Sequence, residues 1–276
     1  MDEATSAIGA FAYFESDPAL HAGVARSTLD AIVRQLGAPE ADVKMSVYKG
    51  TQEGRLRGFK WKAIDEAIAS PDVQVLNLVI GTPMDVWFTA KLQLRSSPDP
   101  RRRPSSPRCF YFASELRTSN APALVEAGRA MLAQIAAAAS GPISGGVLAA
   151  PTFNQAYCEV EDSGNSEQES ISYRDRIRVD AYGASDRRTK ARRLYPITLL
   201  GPKLASQVTA AEAVAAGALA VKEINGSLLI DAYPTVVETW DPEFLKATVE
   251  LRKWLWPHTI QNPADAVGLG LKLPRR

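Results

Sequence analysis

Cysteine and histidine are scarce, with two of each in 276 residues. Cys109 and Cys158 are too few for a disulfide framework, and neither His21 nor His258 has partners at metal-ligand spacing. Charge of one sign is also missing. A net +1 argues against a general nucleic-acid binder, although local patches remain open. Every apolar run meets Pro, Asp or Lys before the roughly 18 residues a membrane helix needs. The start, "MDEATSAIGAFAYFESDP", has acids where an export signal has bases. These absences set the expectation of a cytoplasmic protein with reduced thiols and no membrane partner. A 46% hydrophobic and 23% charged composition is ordinary for a globular chain, long enough for one large domain or two modest ones.

Catalytic signatures are equally thin. Ser144 in "GPISGG" has Pro142 where a nucleophile elbow needs glycine, so the glycines read as a tight turn between helix and strand. Gly268 and Gly270 have no third glycine at dinucleotide-binding spacing and read as a tail. Asp42 and Lys44 share one strand face, the minimal pair of a metal nuclease, but that spacing is common and reads as an exposed face. The expectation is a protein that is not an enzyme and carries no cofactor.

What is present is alternation. "GAFAYFE" reads as a strand, and Asp17-Pro18 as the start of a helix whose stripe is Ala25, Leu29, Ile32 and Leu36. Val43, Met45 and Val47 mark a half-buried strand, and "WKAIDEAIAS" a short helix that Pro71 ends. Three strands follow, "VQVLNLVIG", "VWFTAKLQL" and "RCFYFASEL", the last two joined by a Pro/Ser/Arg-rich loop. "NAPALVEAGRAMLAQIAAAA" is a helix with Leu124, Gly128, Met131, Leu132 and Ile135 in one stripe.

Beyond residue 150 an acidic run from Glu159 to Glu169 precedes a stretch in which bases predominate, and both read as solvated loops and faces. "ALAVKEINGSLLIDAYP" is a hairpin about Asn225-Gly226. "DPEFLKATVELRKWLWP" is a helix capped by Asp241, with Phe244, Ala247, Leu251 and Leu255 on one face. The fold class is therefore α+β: mainly antiparallel sheet flanked by amphipathic helices. Residues 8–150 and 151–272 form two similar lobes or one compact unit.

The order "LYPITLLGPKLASQV", short Ala-rich helix, "LAVKEINGSLLIDAYP", "DPEFLKATVELRKWLWP" resembles the type VI secretion immunity family. The earlier strand, long helix and small-residue turn from residue 108 are similar too, as are the related immunity proteins paired with restriction-endonuclease-fold toxins. The resemblance covers residues 108–257, and Ile197–Leu204 is its most specific part.

It implies an antitoxin that neutralises a cognate secreted toxin, with nuclease as the leading toxin chemistry and no direct nucleic-acid contact. A nuclease presents a basic cleft, so the complementary toxin-binding residues would be Glu159, Glu161, Asp162, Glu167 and Glu169. The alternative is a nucleic-acid-binding or regulatory module. It would use Arg101–Arg103 and the cluster of Arg187, Arg188, Lys190, Arg192 and Arg193, which otherwise reads as solvated surface.

Overall fold

A computed structural model describes residues 7–14, 22–36, 42–49, 52–82, 85–94, 108–116, 121–137, 142–161, 189–260 and 263–271. The first strand, β1 (Ala7–Phe14), is buried along its whole length. Its side chains alternate between two cores. Ile8, Ala10, Ala12 and Phe14 belong to one, and Ala7, Phe11 and Tyr13 to the other, as a strand with both faces covered requires.

The first core is built by α1 (Ala22–Leu36) and then by the strands β2 (Val43–Lys49), β3 (Gln52–Glu53) and β4 (Arg57–Gly58). Next come α2 (Trp61–Ala69), β5 (Val73–Thr82), β6 (Asp85–Gln93), β7 (Arg108–Glu115) and α3 (Ala121–Ala137). The stripe read from the sequence is the buried one in α3, widened by Ala127 and Ala136. Each large apolar side chain there contributes about 1.5–3 kcal/mol of burial. The Asp17-Pro18 start and the loop after β6 lie outside the described residues.

The segment read as a glycine turn is instead a strand, β8 (Pro142–Ala150), buried throughout. Its glycines serve close approach. A Cβ on Gly145 would stand 2.5 Å from the Phe11 carbonyl oxygen and 2.7 Å from Leu132 Cδ2 of α3. One on Gly146, on the other face, would stand 2.5 Å from the Tyr195 ring. The helix on one side and the tyrosine on the other leave room for hydrogen alone.

The second core is covered by α4 (Phe153–Glu161), β9 (Ile197–Leu200), α5 (Pro202–Ala205), α6 (Ala210–Ala215), β10 (Ala220–Ile224), β11 (Ser227–Asp231), α7 (Pro242–Ala247) and α8 (Val249–Leu255). A 3-10 turn (Trp256–His258) and α9 (Pro263–Gly268) complete the described chain. The region of Gly268 is thus helical, with Ala266 and Leu269 buried.

Asp241 caps α7 as expected, its carboxylate accepting from Glu243 N and Phe244 N at 2.9 Å each. The last helix, however, is two pieces. Thr248 sits at φ −104, ψ 15 between them, and its hydroxyl donates back to the Phe244 carbonyl at 2.7 Å. Such back-bonding competes with the helix ladder. Ala247 is exposed in consequence, and Thr248 takes the buried place.

All described ladders within the sheet are antiparallel, in the order β10-β11-β9-β8-β1-β7-β6-β5-β2-β3, with β4 also on β2. This is the α+β arrangement of antiparallel sheet and flanking helices. The first strand lies in the middle, between β7 and β8, and β8 pairs with β9 across residue 150. The β10–β11 turn has Asn225 at φ 47 and Gly226 at φ 77, the two positive angles of a tight hairpin.

Candidate interaction surface

The Leu-Gly-Pro segment is where the second core closes. Gly201 donates to the Ile143 carbonyl at 2.9 Å, and a Cβ on it would lie 1.6 Å from the Pro142 oxygen. Upstream, Tyr195 N donates to Thr198 Oγ1 at 2.8 Å, and the ring meets Phe11 edge-on at 5.1 Å. Ala191 forms a bridge to Thr259, donating to the His258 carbonyl and accepting from Ile260 N, both at 2.8 Å. His258 thus contributes its backbone to this closure.

The same closure corrects the reading of the second arginine cluster. Arg192 and Arg193 are 4% and 8% exposed, with the Arg193 guanidinium 4.7 Å from the centre of the Trp240 ring. They are held inside rather than offered to phosphates. Lys190 is half-buried, while Arg101–Arg103, Arg187 and Arg188 lie outside the described residues.

Of the expected acidic residues, Glu159 and Glu161 belong to the last turn of α4 rather than to a loop. That helix was hidden in the sequence because its buried anchors among the described residues, Phe153, Ala156 and Val160, are set among polar ones. It sits close on the sheet because Gly9 beneath it has no Cβ, which would stand 2.7 Å from Val160 Cγ1. Asp162, Glu167 and Glu169 lie outside the described residues. Trp61 and Trp87 are half-buried against the first core. Asp42 and Lys44 are both exposed, and the cross-strand partners of Lys44 on its two ladders are Gly58 and Val79, neither of them an acid.

A different set of charges comes together at the outer edge of β2. Lys49 pairs with Gln52 and Tyr48 with Glu53, but Met45 pairs with Arg57 and Lys44 with Gly58. Two residues of β2, Ser46 and Val47, therefore oppose three, Gly54, Arg55 and Leu56. The offset is a β-bulge, pinned by Gly54 N on the Val47 carbonyl at 2.8 Å and Phe59 N on the Val43 carbonyl at 3.0 Å. Bulges re-aim side chains and blunt exposed edges.

This bulge turns out Arg55, Leu56 and Arg57, all exposed, Leu56 by 49%. Lys44, Lys49, Lys60 and Lys62 are exposed around them. Arg26, nearby on α1, is engaged already, 3.6 Å over the Trp61 ring and 3.1 Å from Asp65. No consecutive run announces the patch, yet residues 42–62 hold six of the chain's lysines and arginines against two acids.

No family model and no curated protein matches the chain. Among solved structures, a likeness covers 93% of this chain. The fold is shared with a T6SS protein. That protein, Pseudomonas aeruginosa PA0821, superimposes with a TM-score of 0.62 at 11% identity, over 93% of this chain and 74% of its own. At this identity the likeness is one of fold. Among the described residues, no helix is long and apolar enough to cross a membrane.

Proposed function

We propose that this protein is an immunity protein that binds and neutralises a cognate T6SS effector, and that the effector is a nuclease acting in the cytoplasm. The observation that carries this reading is the fold held in common with a T6SS protein over 93% of the chain. The strand-turn-helix order from residue 108 to 257 adds to it, since those are the segments whose pattern resembles the immunity family. On this reading the protein does no chemistry itself. It occupies a surface of the toxin, with anchors giving affinity and charges giving rate and partner choice.

The test is co-expression. A candidate T6SS effector from the same source is induced in a sensitive host with and without this protein. Restored growth, together with loss of nucleic-acid cleavage when the two purified proteins are mixed, is the expected result. An effector that kills equally in both hosts and cleaves equally in both mixtures would overturn the reading.

A further inference from the structure

We infer that the bulged edge formed by β2, β3 and β4 is a contact surface for an acidic patch on the protein partner, centred on Leu56; this rests on the immunity reading above. Lys44, Lys49, Arg55, Arg57, Lys60 and Lys62 are all exposed, and none has an ion pair or side-chain hydrogen bond among the described residues. Six exposed cations within residues 44–62 of a chain with net charge +1 are a local concentration, not a share of general basicity. Like charges held together cost self-repulsion that an acidic partner relieves.

The composition of the patch favours protein over nucleic acid. A half-exposed leucine stands at the bulge with bases on both sides, the apolar centre and charged rim of a protein–protein contact. A groove for single-stranded nucleic acid would instead offer stacking aromatics. Of the aromatics here, Phe59 and Trp61 pack edge-on against each other at 4.7 Å, with Phe59 buried and Arg26 over the Trp61 ring, and Tyr48 on β2 is half-buried. The bulge also deprives a partner strand of a regular ladder, so recognition falls to side chains. Because the cleft of a nuclease is itself basic, this edge grips an acidic surface outside that cleft.

The experiment compares wild type with K44E/R55E/R57E and with Leu56→Ala, against the purified, catalytically inactivated effector, at about 50 and about 300 mM NaCl. Far-ultraviolet circular dichroism should be unchanged in both variants and melting no lower than in wild type, because the residues are exposed, have no ion pair among the described residues, and the charge reversals relieve like-charge repulsion. The triple variant should associate about tenfold more slowly at low salt and lose most of its salt dependence. Leu56→Ala should raise the dissociation rate severalfold. If wild type binds and the triple variant matches its rate and salt dependence, this surface is wrong while the immunity reading stands. If wild type neither binds nor protects, the immunity reading falls and the surface with it. Retention of a DNA duplex by wild type at physiological salt, lost in the triple variant, would reassign the edge to phosphates and overturn the proposal.

Discussion

A methyl group added at Gly201 would collide with the Pro142 carbonyl oxygen at 1.6 Å, and backbone cannot step aside as a flexible side chain can. Gly201→Ala should therefore cost about 3 kcal/mol, read as a lower urea midpoint. Gly23, near the start of α1, has nothing within 4 Å of its missing Cβ. Gly23→Ala should be neutral or stabilise by up to about 1 kcal/mol. The contrast separates glycine kept for contact from glycine kept for nothing in the fold. It also explains the Leu-Gly-Pro signature, which closes a core.

At the scale of elements, caps and turns act within a few residues and can be tested one at a time. Asp241→Ala removes the acceptor of two backbone donors at the start of α7 and should lower stability by about 1 kcal/mol in a thermal melt. The strands, the α3 stripe and the Asn225-Gly226 hairpin were legible in the sequence because periodicity and turn chemistry are local. Helix α4 was not, since a short run of apolar residues interrupted by polar ones gives too little periodicity. The glycine pair in β8 misled for a different reason. In sequence a Gly-Gly pair signals a turn, and only the approach of Leu132 and Tyr195 from the two faces makes it a strand.

Across the whole molecule, one sheet carries strands from both sides of residue 150, and the contacts that bind them are specific. Ser144, Gly145, Gly146 and Val147 pair with β9, and Tyr195 lies on Phe11 and over Gly146. A fragment ending at Ala150 would leave the β8 edge unpaired and the second core uncovered. It should show no cooperative urea transition and should associate through that edge. An independently folding fragment, with a sharp transition and monomeric sedimentation, would contradict this.

The sequence by itself determined the α+β class, most strand and helix positions, and the turns, because each depends on neighbours a few residues away. Tertiary structure decided which strands are neighbours, since alternation fixes the face a residue takes but not the strand beside it. Hence β1 lies between β7 and β8, at the middle of the sheet rather than at its edge. The same long-range pairing sorted the charges. It drew Arg192 and Arg193 inside, where a run of bases had suggested surface. At the bulge it gathered Lys44, Arg55 and Arg57, separated along the chain, into one exposed edge.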